Sequence, residues 1–184
     1  MPRLPVPQFP VSAVQASLTS VLPATRPARR HASVRQLAQD GDMARKMSKE
    51  EWREFLSADG RTGKLATVRP DGSPHIAPIW FVLDGDDLVF NTGKKTVKGR
   101  NLAQDGRIAL CVDDDKPPYA FVTVQGRAHL DDDLSEIRKW ATTIGGRYMG
   151  KERAEEYGAR NGVPGELVVR VRVEKVVAVS AVAD

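Results

Sequence analysis

A run of positively charged residues near the middle of the chain is the part of the sequence best suited to bind a ligand. It comprises Lys94, Lys95, Lys98 and Arg100, preceded by Asn91 and Thr92. No acidic residue occurs between Leu88 and Gln104. Lysine and arginine supply positive charge, threonine supplies a hydroxyl, and backbone N–H groups at the start of a helix point toward an anion. The run therefore predicts a phosphate-binding site, with a solvated basic loop as the alternative.

Other kinds of chemistry find little support in the sequence. The segment GKKTVKGR lacks the residue order of a Walker loop, so hydrolysis of a nucleoside triphosphate is not predicted. His75 and His129 are isolated, without the paired carboxylates or triad pattern of a hydrolase. Cys111 lies in an apolar run and favours a buried thiol. The sequence alone therefore assigns no catalytic side chain.

Three predicted strands lead into the positive run and determine where it lies. They are Lys64–Arg69, His75–Leu83 and Leu88–Thr92, separated by turns at 70–72 and 84–86. Connections this short favour an antiparallel meander, since a parallel crossover needs about a dozen residues. A helix predicted over Thr96–Asp105 follows at once. The positive residues therefore lie where a strand gives way to a helix.

The other predicted elements extend the sheet and add a helix before it. Ser48 and Glu51 have the spacing of a capping box, so a helix begins after Ser48. The later strands are Arg107–Val112, Tyr119–Leu130, Glu166–Val173 and Lys175–Ala181. Gly126 predicts a bulge within the second of these. The chain thus reads as mainly β.

The long helix predicted after Asp133 carries two stripes of side chains. Its core stripe consists of Leu134, Ile137, Ala141, Ile144 and Tyr148. Trp140, Thr143 and Arg147 form a second stripe on a different face. We expect this second stripe to be covered by a partner subunit or by a bound ring.

Charge and composition divide the chain into a leader and one domain. Residues 1–42 carry five arginines, two aspartates and six prolines, a composition typical of a disordered tail, a transit peptide or a leader upstream of a start at Met43 or Met47. That leader has a net charge of +3 out of +4 for the whole chain, which leaves +1 for residues 43–184. A nearly neutral domain does not favour nucleic-acid binding. With one cysteine and no apolar run of about 20 residues, the sequence predicts a cytoplasmic protein without a membrane span.

Four segments together resemble a known family. GKLATVRPDGSPHIAPIWF, VFNTGKKTVKGRNL, RIALCVDDD and YAFVTVQGRAHL occur in this order after the capped helix. Over most of residues 47–181 the chain resembles the pyridoxamine 5′-phosphate oxidase-like split β-barrel family, and within it the branch of reductases that use the deazaflavin coenzyme F420. The resemblance implies a mainly β fold, an antiparallel six-stranded split β-barrel with a few peripheral helices.

The resemblance also implies a cofactor site in a cleft of a homodimer. His75, Ile76, Ala77, Pro78 and Trp80 would line the ring, and Asn91, Thr92, Lys95, Lys98 and Arg100 would bind the phosphate. Tyr119, Trp140, Arg147 and Tyr148 would come from the other subunit. The implied activity is hydride transfer from reduced F420 to an electron-poor small molecule such as an activated alkene, quinone or tetrapyrrole, with solvent or Tyr119 as the proton source. An FMN-dependent oxidoreductase and a non-catalytic flavin-, deazaflavin- or heme-binding protein are the alternatives.

Overall fold

The computed structural model describes residues 44–58 and 60–183. The predicted leader 1–42 and the proposed start at Met43 lie outside this part of the chain. Within it, no helix is long and apolar enough to cross a bilayer.

The secondary structure follows the predicted order closely. The strands are β1 (Arg45–Lys46), β2 (Gly63–Val68), β3 (Pro74–Ile79), β4 (Val82–Asp84), β5 (Asp87–Gly93), β6 (Arg107–Asp114), β7 (Ala120–Asp131) and β8 (Glu166–Ser180). The helices are α1 (Lys49–Ser57), α2 (Val97–Gln104), α3 (Leu134–Met149) and α4 (Ala154–Asn161), with a 3₁₀ turn at Lys151–Arg153 before α4. The predicted mainly β class is confirmed, although the described ranges contain eight strands where six were expected.

The sheet is antiparallel and curls toward closure. Its strand order is β3-β2-β6-β7-β8-β5-β4, with the short β1 paired to β8. The two edge strands, β3 and β4, are separated in sequence only by Trp80 and Phe81. The two edges of the sheet therefore meet at this corner, as the split-barrel expectation requires, while the hydrogen-bonded ladder itself stays open.

Two predicted strand boundaries were wrong. The strand expected over His75–Leu83 breaks at Trp80–Phe81, where the chain turns from one sheet edge to the other. The expected closing pair is a single strand, β8, which bulges where Gln125 pairs with Lys175 but Gly126 pairs with Val173. The bulge predicted at Gly126 is thus confirmed. A Cβ at Gly126 would lie 2.3 Å from the carbonyl oxygen of Arg172, so the close approach of the two strands requires glycine.

The barrel interior is filled by apolar side chains from both ends of the sheet. Phe81, Phe90, Leu65, Leu110 and Val169 are among its fully buried residues. Helix α1 packs against it through Trp52 and Leu56, and begins with the predicted capping box. Helix α2 contacts β2, β3, β5 and β7, so it fills the space between the two halves of the curled sheet.

A second apolar cluster fixes α3 on the outside of the barrel. Ile137, Trp140 and Ile144 of α3 pack with Val82, Val89 and Val168. Trp140 is only 8% exposed, and its indole N–H donates to Glu136 at 3.1 Å. We expected Trp140 to face a partner or a bound ring, but strands β4, β5 and β8 of the same chain cover it. Leu134, expected in the core stripe, is 48% exposed.

Candidate functional site

A pocket of about 320 Å³ lies where β3, β5, α2, α3 and α4 converge. Four of the residues predicted to bind a cofactor line it: Pro78, Trp80, Asn91 and Lys98. The other lining residues, which the sequence did not reveal, are Thr62, Ile79, Ile144 and Asn161. The predicted aromatic wall and the predicted cation are thus brought to one cavity by three separate segments of the chain.

Trp80 forms an aromatic wall that is supported from behind. Its ring stacks on Tyr148 with centroids 4.9 Å apart and planes 4° from parallel. Tyr157 of α4 lies 5.9 Å away at a tilted angle. Stacking of this kind fixes the plane of a half-buried side chain. Trp80 therefore offers a flat, preoriented surface to a planar ligand.

Tyr148 also fixes the corner that carries Trp80. Its hydroxyl donates to the carbonyl of Arg61 at 2.8 Å and accepts from the backbone N–H of Phe81 at 3.3 Å. Burial raises the pKa of the Tyr148 phenol, while the Phe81 hydrogen bond and Arg147 oppose this shift. The phenol is therefore neutral at physiological pH and can act as both donor and acceptor.

Arg147 binds the same corner through its guanidinium. It donates to the carbonyl of Phe81 at 2.7 Å, to that of Ala58 at 3.0 Å and to that of Leu56. Two adjacent residues at the end of α3 thus satisfy both backbone groups of Phe81, which a continuous strand would have paired within the sheet. This explains why the predicted strand breaks at that point. Arg147 and Tyr148 were expected from another subunit, but each contacts this corner within its own chain.

The start of α2 is tied to the end of β5 by a chain of hydroxyl contacts. Thr96 is the N-cap of α2 and accepts from the N–H of Gly99 at 3.0 Å. Its hydroxyl lies 3.1 Å from that of Thr92, which is only 4% exposed. The hydroxyl of Thr92, which was predicted to bind phosphate, therefore contacts the residue that caps α2. Its contribution is to hold Lys98 in place through α2.

The cations of the loop have different surroundings. Lys94 forms an ion pair with Asp132 at 2.8 Å, and Arg100 donates to the carbonyl of Lys95 at 2.6 Å. Lys95 and Arg100 are exposed and do not line the pocket. Lys98 is half-buried and makes no hydrogen bond or ion pair with residues 44–58 or 60–183. Lys98 is therefore the cation best placed to contact a ligand in the pocket.

Glu166 is an acidic neighbour that the local sequence could not reveal. It is paired with Gly93 across the β5–β8 ladder. Burial raises the pKa of the Glu166 carboxyl above its ordinary value, and the nearby positive charge of Lys98 only partly opposes this rise. A carboxylate beside Lys98 limits how much negative charge the site can accept, because an anionic ligand must approach both groups.

Asn91 presents a buried polar atom at the edge of the pocket. Its amide nitrogen donates to the carbonyl of Ile137 at 3.1 Å. Its oxygen is buried and has no hydrogen-bond partner among the described residues. Buried acceptors are normally paired, so an unpaired one beside a cavity is a candidate contact for a donor on a ligand.

Four other predicted site residues lie away from this pocket. His75, Ile76 and Ala77 lie earlier on the edge strand β3, where Ile76 is 66% exposed. The His75 ring lies 3.4 Å from the guanidinium of Arg69. Tyr119 lies in the turn before β7, is 41% exposed and has a left-handed backbone with φ of 47°. None of the four lines the pocket.

Asn101 is a positioning residue that the sequence reading missed. It is only 4% exposed, and its amide donates to the hydroxyl of Thr67 at 3.0 Å. The Thr67 hydroxyl in turn lies 3.5 Å from the carbonyl of His75. This link ties α2 to β2 and β3. The signal that could have indicated this role is the polar Asn101 next to the apolar Leu102, within the sequence KGRNL at residues 98–102.

Comparison with known proteins places the chain among cofactor-binding split barrels. A family model described as pyridoxamine 5′-phosphate oxidase matches residues 48–180. No curated protein sequence matches the chain.

Solved structures of related proteins show the same fold. An "F420 Reductase" is 28% identical with a TM-score of 0.53, covering 67% of this chain and 94% of that one. A conserved hypothetical protein from Mycobacterium tuberculosis has a TM-score of 0.66 at 24% identity, covering 78% and 89%. A FAD-binding protein from Mesorhizobium loti has a TM-score of 0.56 at 19% identity, covering 74% and 96%. The last two show similarity of fold alone.

Proposed function

This chain belongs to the pyridoxamine 5′-phosphate oxidase family, and we propose that it is an oxidoreductase that uses coenzyme F420. In this proposal it transfers hydride from the reduced deazaflavin to an electron-poor small molecule such as an activated alkene, quinone or tetrapyrrole. The observation that carries the proposal is the pocket in which Trp80, Pro78 and Lys98 meet. The structural similarity to an F420 reductase supports the choice of cofactor.

The pocket fits part of a flavin-type cofactor. Its volume of about 320 Å³ is at the small end of the usual range for ligand sites, which is roughly 300–1,000 Å³. The pocket is therefore suited to the planar ring system of a cofactor, with the remainder of the cofactor's side chain extending outside. Trp80 supplies a flat wall for the ring, Lys98 a positive charge for the phosphate, and the unpaired oxygen of Asn91 an acceptor for a ring donor. The residues present thus match the chemistry of the group.

The protein's own contribution is to bind and orient, since the bound deazaflavin supplies the hydride. Trp80, stacked on Tyr148, fixes the plane in which a ring can lie. Lys98, held at the start of α2, fixes the phosphate end. Ile79 and Ile144 make the apolar part of the wall and limit the access of water. In this proposal solvent supplies the one proton that completes the reduction after hydride transfer, so no acid or base is assigned at the reacting atoms.

A homodimer is part of the proposal. The edge strand β3 exposes Pro74, Ile76 and Pro78 on one side, and Pro78 also lines the pocket. A second copy placed on this edge would cover Ile76 and extend the pocket wall. Sedimentation at micromolar concentration would show a species of twice the chain mass, and a monomer that still binds cofactor would remove the dimer from the proposal.

Titration with two cofactors tests the proposed function. Coenzyme F420 and FMN share a phosphate and a planar ring, but F420 carries additional carboxylates on its tail. Because Trp80 lines the pocket, binding of either cofactor should quench tryptophan fluorescence. If F420 is the natural cofactor, we expect it to do so at lower concentration than FMN. Reduced F420 should then be consumed in the presence of an electron-poor acceptor. Tight FMN binding with no response to F420 would contradict the F420 assignment, and binding without turnover over a wide acceptor panel would favour a non-catalytic binding protein.

A further inference from the structure

Three polar side chains of the cofactor pocket have hydrogen-bonding groups that the described part of the chain leaves unused. The oxygen of Asn91 is buried and has no partner among residues 44–58 and 60–183. The side chains of Thr62 and Asn161 line the same pocket, are half-buried, and make no hydrogen bond within those residues. Polar groups removed from water are normally paired, so these three side chains mark where a ligand can supply partners.

Asn91 can offer a ligand only an acceptor. Its amide nitrogen donates to the carbonyl of Ile137 at 3.1 Å, and a carbonyl oxygen cannot donate in return. Turning the amide round would therefore break this hydrogen bond and place two acceptors against each other. Since the free atom is the oxygen, the matching group on a ligand must carry an N–H or O–H.

Thr62 adds a hydroxyl close to the aromatic wall. It directly follows Arg61, whose carbonyl accepts a hydrogen bond from Tyr148 at 2.8 Å. Tyr148 is in turn stacked on Trp80. The backbone beside Thr62 is thus fixed to the same aromatic pair that forms the pocket wall, and its hydroxyl can donate to a ligand.

Asn161 adds a second donor from α4. It lies four residues after Tyr157 and therefore on the same face of that helix. Tyr157 is 8% exposed and contacts Trp80 with ring centroids 5.9 Å apart. Helix α4 is packed closely on α3, since a Cβ at Gly158 would overlap the side chain of Thr142. The position of Asn161 at the pocket is therefore fixed by the core, and its amide N–H groups are free to donate.

Together these side chains form one obligate acceptor and two donors. An imide edge, in which an N–H lies between two carbonyl groups, is complementary to such a set. The planar rings of F420 and FMN both end in an imide of this kind. The flat wall of Trp80 suits the same part of a ligand, because the imide lies in the plane of the ring.

We propose that Asn91, Thr62 and Asn161 bind the imide edge of the cofactor ring. Asn91 accepts from the imide N–H, and Thr62 and Asn161 donate to the carbonyl oxygens beside it. The ring then enters the pocket with its imide edge first. This proposal deepens the proposed function and rests on its placing of a flavin-type ring against Trp80. It does not depend on whether the cofactor is F420 or FMN, since both carry this edge.

Lumiflavin and 3-methyllumiflavin test the proposal on the wild-type protein. Lumiflavin is the ring without a phosphate, and its 3-methyl derivative has a methyl group in place of the imide hydrogen. Quenching of tryptophan fluorescence by each ring gives its affinity for the full chain. We expect lumiflavin to bind about tenfold or more tightly, because the methyl group removes a hydrogen bond and leaves the Asn91 oxygen unpaired. Equal affinities, or no binding of either ring, would overturn the proposal.

Variants show which side chain makes the discrimination. Asn91→Leu has a similar shape but no acceptor, so it should bind the two rings about equally. Asn161→Ala should weaken both rings by about threefold to tenfold while the preference for lumiflavin remains. Gln104→Ala, which removes an exposed amide of α2 outside the pocket, is the matched control and should change neither value. An Asn91→Leu protein that melts as a folded protein and keeps the wild-type preference would contradict the role of Asn91.

Failure of this inference can be told apart from failure of the proposed function. A chain that prefers lumiflavin to its methyl derivative but responds to FMN and not to F420 has the imide site without the F420 activity. A chain that consumes reduced F420 but binds both lumiflavins equally has the activity and refutes the imide site.

Discussion

Replacing Gly99 with alanine should separate α2 from the end of β5 and damage the cofactor pocket. Gly99 is the third residue of α2, directly after Lys98. A Cβ there would lie 2.3 Å from the carbonyl oxygen of Gly93 and 3.1 Å from that of Lys94. The first distance is about 1 Å shorter than an ordinary contact. Because the Gly93 carbonyl also accepts from both the N–H and the hydroxyl of Thr96, neither side can move without losing hydrogen bonds.

Two opposing effects set the magnitude of this change. Alanine is favoured over glycine inside a helix by about 1 kcal/mol. Forcing extra volume into a packed contact costs about 1–3 kcal/mol, and the upper end applies where backbone meets backbone. We therefore expect Gly99→Ala to lower the free energy of unfolding by about 1–2 kcal/mol. It should also weaken F420 binding, since Lys98 moves with the helix.

Urea denaturation and cofactor titration of the same protein measure both effects. Gly146→Ala in α3 is the matched control, because its added Cβ would meet only the Cβ of Ala154, at 3.3 Å. The helix propensity gain should then offset the tight contact, leaving the control near wild-type stability. Our reasoning is refuted if Gly99→Ala is as stable as the wild type and binds F420 with unchanged affinity.

Two more predictions concern groups that hold the fold around the pocket. Tyr148→Phe removes one hydrogen bond to Arg61 and a longer one from Phe81, so the free energy of unfolding should fall by about 1–2 kcal/mol, with a parallel loss of cofactor affinity. The control Tyr157→Phe should change stability and affinity little. Equal effects of the two substitutions in urea denaturation would contradict the role of Tyr148. Glu51 in the capping box has its pKa lowered from 4.5 to about 2, chiefly by the side-chain hydrogen bond from Arg45. Its stabilising effect is therefore complete above about pH 4.5 and is lost as pH falls toward 2, so wild type should melt above Glu51→Gln at about pH 7 and match it near pH 2. A melting difference that stays constant over that range would exclude this linkage.

Local patterns were enough to predict most elements of the fold. The capping box at Ser48, the turns at 70–72 and 84–86 and the bulge at Gly126 each depend on a few neighbouring residues, and each appears where expected. The break at Trp80–Phe81 could not be predicted in this way. It depends on Arg147 and Tyr148, which lie more than 60 residues further along the chain.

The candidate site was predictable in its residue types but not in its spatial arrangement. Trp80, Asn91 and Lys98 do line one pocket, because strand ends and a helix start converge there. Burial and pairing remove other candidates from that surface: the hydroxyl of Thr92 contacts Thr96, the N-cap of α2, and Trp140 lies in the core of its own chain. Glu166 and Asp132 approach the positive run from distant strands and turns, so a local count of charges overestimated how positive the site is.

The most direct test of the central claim is an F420 titration of three proteins: wild type, Lys98→Gln and the control Lys139→Gln. Lys139 suits the control because in the wild type it pairs with Glu136 on the exposed face of α3. A lost charge-assisted contact corresponds to about 1.5–3 kcal/mol, or roughly ten- to a hundredfold in affinity. We expect that loss for Lys98→Gln and wild-type affinity for Lys139→Gln. Identical dissociation constants for all three proteins would show that the pocket beside Trp80 does not hold the cofactor phosphate.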